Sequence, residues 1–515
     1  SEMCIRDSGN ASLRVASRVP ALEEVVLDMF TDWLYADSVL VDGEPVPFLA
    51  EEGRIRVRLS RFLDPGDTAT VRVAYWGGIV ADYMGLTFGR HEGHPYLWTL
   101  SEPDYARYWW PTKDQPDDKA DSADVLVTVP EALTATSNGL LREVTAGPGA
   151  TRTFWWHESY PIATYLISIT AGDFRLLTGS YPIPGGGTMP TEFYVFPELV
   201  ERAQEDFSIN NEAIDTFAER FGLYPFLREK YGITVFGYSG GMEHQTNTSY
   251  GHWLISGQHY FDWIYVHELA HQWWGDDVTC ATWGDVWLNE GFASWSEVLW
   301  AEHAGGPDSA RTWLLDAQQV LDRTGRIYGV DEPFGQDANL VYNKASWVVH
   351  MLRGVLGDPL FFAGLAEYRA RHTGSVATTE QFEEAMEAAS GQELDWFMDQ
   401  WIHGPSWPTY EVSALAEAIP GGQRAWVHLE QTQRIGGFFT MPVRIRARAG
   451  DAVRDTVLWN DPDHEDLALD LPEGPLEVEI DPDWWILRDS VATAPYGLNI
   501  VTTDLDSIRA GQPVS

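Results

Sequence analysis

Hydrophobic and polar positions alternate with a period of two through much of the first 180 residues. Thr70-Val71-Arg72-Val73-Ala74-Tyr75 sends every second side chain to one face, and 125–129 and 165–169 are short runs of the same β-branched and aromatic kind. Turn-forming stretches such as Val41-Asp42-Gly43-Glu44 and Asp64-Pro65-Gly66-Asp67 separate them. The pattern predicts an all-β domain, with Pro182-Ile183-Pro184-Gly185-Gly186-Gly187 as its boundary. From about 190 the period lengthens: Phe207, Ile214, Phe217 and Phe221 fall on one face of a helix that Gly222 and Pro225 end. Helical spacing dominates to about 405, with 231–238 reading as a strand. After His403-Gly404-Pro405 alternation returns at 425–429, 441–445 and 476–480, which predicts a second β domain.

These readings divide the chain into an N-terminal β domain at 9–185, a helix-rich domain at 186–405 and a β-sandwich at 406–490. Residues 491–515 are either a tail or the start of a further immunoglobulin-like module. The opening SEMCIRDS resembles a translated sequencing adapter, so 1–8 are read as non-native and the first strand of the β domain as missing.

At 44% hydrophobic and 22% charged residues, the 515-residue chain has the balance of a globular protein. It contains no apolar run of about 18 residues, so no membrane span is expected. Its 77 acidic and 34 basic side chains leave a formal charge of −43, which disfavours nucleic acid and anionic lipid as partners and favours cationic ligands. Only Lys113, Lys119, Lys230 and Lys344 are lysines, a bias compatible with a salt-rich habitat or with a codon preference for arginine. Cys4 and Cys280 are too few for a disulfide framework or a cysteine-ligated metal.

The chemistry centres on His267-Glu268-Leu269-Ala270-His271. On a helix, two histidines four apart project from one face and reach a single zinc ion. A second helical stretch at 286–303 carries Glu290, and a helix hairpin would bring its carboxylate to the same ion, leaving a fourth position for water.

HELAHQWWG followed by WLNEGFASWSE resembles the aminopeptidase N and leukotriene hydrolase family of zinc gluzincins, and the resemblance runs from about residue 9 to 490. It implies a multidomain α+β fold: an N-terminal all-β domain, a thermolysin-like, mostly helical zinc catalytic domain and a small C-terminal β-sandwich. Larger relatives add a long helical domain after the sandwich, and nothing resembling it is present here. The resemblance further implies one Zn2+ per chain held by His267, His271 and Glu290. Glu268, between the histidines, fits the general base that takes a proton from the zinc-bound water and passes it to the departing amine. Asp285 and Glu297 match family positions that orient ligand imidazoles.

Exopeptidase specificity needs carboxylates for a free N-terminus. Gly240-Gly241-Met242-Glu243-His244 resembles the family's Gly-x-Met-Glu-Asn motif, whose glutamate binds the α-amino group while the glycine-rich backbone lies along the substrate. Ser101-Glu102-Pro103-Asp104-Tyr105-Ala106-Arg107 resembles the segment that adds a second anchor, here Glu102. Tyr342, in LVYNKASWVVHMLR, resembles the tyrosine of Tyr-x-Lys-Gly-Ala that supports the oxyanion. His244 stands in place of the usual Asn, and Ala345-Ser346 in place of Gly-Ala.

The expected function is that of a zinc aminopeptidase acting on peptides with a free N-terminus. A zinc endopeptidase of the same clan and a non-catalytic binding scaffold are the alternatives, and an added epoxide hydrolase activity has no specific support. Abundant tryptophan, few lysines and the trailing module lean toward export over a cytoplasmic location. The preferred N-terminal residue and the oligomeric state have no signature in the sequence.

Overall fold

The computed structural model describes residues 7–77, 84–322, 324–462, 465–492 and 499–500. Residues 1–6 of the adapter-like opening, and 493–498 and 501–515 of the C-terminal segment, lie outside them. By its internal contacts the chain forms two compact units, one of residues 1–215, 223–282 and 373–376, the other of 216–222, 283–372 and 377–515.

The first unit opens with two antiparallel sheets whose apolar faces share one core. Strand Thr68–Gly77 pairs with Asp7–Ala16 on one side and Leu34–Val41 on the other, and its alternation buries Ala69, Val71 and Val73. These pack with Val25, Leu27, Ile55 and Val57 from the sheet of Leu22–Asp28, Arg54–Leu63 and Phe48–Glu51. Asp7 and Ser8, the end of the adapter-like stretch, pair with Gly77 and Trp76. The Asp42-Gly43 turn has φ of 51° and 89°, the left-handed conformation a two-residue hairpin loop needs.

One expected strand has a different conformation. Residues 165–169 begin in a 3-10 turn, Thr164–Leu166, and the ladder starts only at Thr170. Side chains take the place of a partner strand there: Asn138 donates to the Leu166 carbonyl (2.9 Å) and accepts from the Ser168 N–H (2.8 Å), while Ser137 Oγ donates to the Ser168 carbonyl (2.7 Å). The glycines at 185–187, read as a boundary, form the loop of a hairpin in which Pro182 pairs with Thr188.

That hairpin starts a five-stranded sheet ordered Arg175–Pro182, Thr188–Val195, Tyr231–Phe236, Asn247–Gly251, Gly241–Met242. The three central strands are parallel, and every residue of Tyr231–Phe236 is buried, as a strand covered on both faces requires. Gly241–Met242 is the short edge strand, pairing antiparallel with Tyr250 and Ser249.

The second unit is helical up to Trp401. Helix Trp287–Asp316 is interrupted at Gly306 (φ 77°) just before Pro307, a pair that ends one helical segment and starts the next. A π-helical turn, Leu340–Lys344, leads into Ala345–Leu356. Helix Thr379–Ser390 begins with a reciprocal capping box between Thr378 and Gln381 and ends at the left-handed Gly391. Two four-stranded sheets follow, built around Thr409–Ile419 with Gly422–Gln431 and around Met441–Ala449 with Ala452–Asn460. Among the described residues no helix follows Trp401, and none is long and apolar enough to cross a membrane.

Candidate metal centre

His267 and Glu268 lie on helix Asp262–Ala270, and His271 caps its C-terminus in helical conformation. This helix is buried on all sides from Ile264 onward, so its polar side chains are held in a low-dielectric setting. The imidazoles meet at their Nε2 atoms, 3.1 Å apart, with ring planes inclined by 75°. His271 Nδ1 lies 2.9 Å from the Trp274 carbonyl, an acceptor that puts the proton on Nδ1 and turns the Nε2 lone pair toward His267.

The backbone after the helix makes that carbonyl available. The N–H groups of Asp276, Asp277 and Val278 take the carbonyls of His271, Gln272 and Trp273 in wide turns, and Gly275 adopts φ 130°. Lys119 Nζ donates to the Asp276 and Asp277 carbonyls at 2.6 and 3.0 Å, and burial brings its pKa down to about 8. The Asp276 carboxyl is pushed well above the usual range, by burial first and then by the nearby Glu243 charge.

In the same unit, Glu243 follows the edge strand and Glu102 lies on the Ser101–Arg107 loop, both buried, with carboxylate oxygens within 4.8 Å of each other. The loop is tied down by Arg107, whose backbone N–H and Nε both donate to Asp114 Oδ2 at 3.0 Å. Tyr165 is buried close to both glutamates, and burial followed by their charges raises its phenol well above the ordinary value, so it stays neutral. Gly241 lies against Glu268: a Cβ there would sit 2.3 Å from Glu268 Oε1 and 2.5 Å from its Cγ.

In the second unit, Glu290 is buried in the first turn of Trp287–Asp316, and Glu297 is buried two turns along. Glu297 Oε2 accepts from Trp313 Nε1 at 3.1 Å. Asp285 Oδ1 accepts from the Thr379 N–H (2.9 Å) and hydroxyl (2.8 Å), and Trp287 Nε1 donates to the same hydroxyl (3.0 Å). Tyr342 sits half-buried in the π-helical turn.

His267 and His271 each offer an imidazole nitrogen in the first unit, and Glu290 offers a buried carboxylate in the second. Two imidazoles, one oriented by a carbonyl, and a buried carboxylate are the donor set of a three-ligand zinc site. Sequence reasoning overlooked Gln272, Tyr165 and the Arg107–Asp114 clamp. Only Gln272 carried a signal, as the polar residue directly after the second histidine.

The profile of the Peptidase family M1 domain matches residues 206–401, and that of the Peptidase M1 N-terminal domain matches 10–166. Aminopeptidase N of Streptomyces lividans is 27% identical over 357 residues, 63% of this chain and 41% of that protein. Glutamyl aminopeptidase of Homo sapiens is 27% identical over 449 residues, covering 80% of this chain and 45% of its own length. The chain thus spans less than half the length of these two relatives. The crystal structure of an M1 zinc metallopeptidase from Deinococcus radiodurans superposes with a TM-score of 0.69 at 26% identity, over 78% of this chain and 90% of that one. A mutant of it bound to a Tyr-ser-ala substrate matches with a TM-score of 0.66 at 25% identity, over 77% and 90% of the two chains. With both M1 domain profiles matched in order along the sequence and the histidine pair on its buried helix, the chain belongs to peptidase family M1, among its aminopeptidase N-like zinc metallopeptidases.

Proposed function

We propose that the protein is a zinc aminopeptidase that hydrolyses the first peptide bond of peptides with a free N-terminus. The observation that carries the reading is the pair of buried carboxylates, Glu102 and Glu243, within 4.8 Å of each other in the same unit as the histidine pair. Two such charges repel, and a protonated amine relieves that repulsion while donating its N–H groups to the carboxylate oxygens. The relatives named aminopeptidases and the neighbour solved with a tripeptide support the same substrate class.

His267, His271 and Glu290 would hold the zinc, which when bound polarises the scissile carbonyl and lowers the pKa of water. Glu268 takes the proton of the attacking water and delivers it to the departing amine. Its carboxylate is packed against Gly241, which keeps the base beside the edge strand that a substrate backbone would follow. Glu243 and Glu102 anchor the ammonium, so only the first peptide bond reaches the base, with Met242, Gly241 and Gly240 lining the approach. The Tyr342 hydroxyl donates to the developing oxyanion. In this reading Asp285 and Glu297 support the ligands from behind. Hydrolysis of one peptide as its free amine and as its N-acetyl form tests the proposal.

A further inference from the structure

Gln272 follows the second histidine directly and is fully buried. A primary amide has two N–H donors and a carbonyl with two lone pairs, and here all four are used. Its Oε1 accepts from the Tyr224 hydroxyl at 3.0 Å and from the Thr246 N–H at 2.9 Å. Its Nε2 donates to Asp276 Oδ2 at 2.7 Å and to the Glu243 carbonyl at 3.3 Å. Two of the four partners therefore belong to the backbone of the turn that bears Glu243.

That turn does not hold its shape unaided. Thr246 has φ 60°, a conformation that β-branched residues rarely adopt and that persists only where surroundings enforce it. Its hydroxyl donates to Glu158 Oε2 at 3.2 Å and accepts from the Gly139 N–H at 2.7 Å. Its carbonyl accepts from Lys230 Nζ at 3.1 Å and from the Gly232 N–H at 2.9 Å. These four contacts fasten the turn to the surrounding strands, whereas Gln272 belongs to the segment that carries the histidines.

We infer that Gln272 is a positioning residue, which fixes Glu243 relative to the His267–His271 pair and so sets where a bound amine sits with respect to the bond being cleaved. The inference rests on Glu243 being the amine anchor. Its consequence is that loosening Gln272 weakens amine binding through Glu243 while the metal stays in place. A merely structural glutamine would affect stability and leave the amine affinity of the folded protein unchanged.

The test is calorimetric titration of the zinc-loaded protein with leucinol, a free amine with no bond to hydrolyse, together with zinc content and KM and kcat on a free-amine tripeptide. Gln272→Glu keeps the acceptor oxygen and the volume but loses both donated bonds, and Gln272→Met loses all four. The first therefore remains informative should the second fail to fold. The expected result is about tenfold weaker leucinol binding, a matching rise in KM, a smaller change in kcat and unchanged zinc content. In a Glu243→Ala background the same substitutions should change leucinol affinity less than about twofold. Unchanged leucinol affinity in folded, zinc-bound Gln272→Glu, with Glu243→Ala still weakening it, would overturn the inference and leave the anchor standing. An undiminished Gln272 effect in the Glu243→Ala background would overturn it as well. Leucinol binding that survives Glu243→Ala intact would instead remove the anchor, and the inference with it.

Discussion

Gly241 and Glu268 are in such close contact that one added carbon would collide: a Cβ at Gly241 would lie 2.3 Å from the carboxylate oxygen Oε1. The glycine has an ordinary φ, so the space it leaves is what the site requires of it. Gly241→Ala should displace Glu268, the proposed base, and lower kcat by about a hundredfold with folding and zinc content preserved. Steady-state kinetics with metal analysis on the purified variant checks this, and normal turnover would mean that the carboxylate does not act from its present position.

Glu268→Gln keeps the shape of the side chain and removes its basicity. Zinc should stay bound while kcat falls by roughly 10²–10⁴, the contribution of general acid–base catalysis. Retained turnover would disqualify Glu268 as the base.

Glu243→Ala removes half of the carboxylate pair. KM for free N-termini should rise about 10- to 100-fold, as expected for a lost charge-assisted hydrogen bond, with little change in bound zinc. Comparing KM on peptides with free and acetylated N-termini shows whether the loss is specific to amines.

Tyr342→Phe deletes a single hydroxyl. If that hydroxyl meets only the transition state, kcat drops by about 10²–10³ while KM stays nearly constant. A large rise in KM at normal kcat would assign Tyr342 to substrate binding.

His244 gives a pH prediction. Burial holds its imidazole neutral, with the pKa brought down to about 3, and its Nδ1 bonds to Ser249 Oγ at 2.8 Å. Between about pH 6.5 and 3 the unfolded chain protonates this residue and the folded chain does not, so its contribution to stability is full above 6.5 and is lost progressively below it. His244→Asn should flatten this acid limb, which thermal melts of both proteins across pH 4–7 would reveal.

What could be read in advance follows the range of the interactions. The meeting of the histidine pair was legible because residues four apart on one helix are a local pattern, and the structure has the Nε2 atoms 3.1 Å apart. Alternation was a sound guide at Thr68–Gly77, where one face is buried, and failed at 165–169, where Asn138 and Ser137 stand in for a neighbouring strand. The glycines after Pro182 read as a break because a hairpin loop and a linker share a composition. The position of Gln272 beside the second histidine was visible but its contacts were not: it reaches Glu243 and Thr246 across more than twenty residues, and no periodicity marks such pairs. The resemblance of short motifs supplied Glu102, Glu243 and Tyr342, which periodicity alone would have left as a solvated loop acid, a turn residue and a packed aromatic.

In the proposed mechanism a zinc site and an amine anchor act together on the first peptide bond. Hydrolysis of one peptide as free amine and as its N-acetyl form, each with and without a zinc chelator, probes both parts at once. The prediction is cleavage of the free amine alone, abolished by the chelator and restored by zinc. Equal cleavage of both forms would contradict the anchoring role of Glu102 and Glu243, and cleavage that survives the chelator would contradict the metal centre itself.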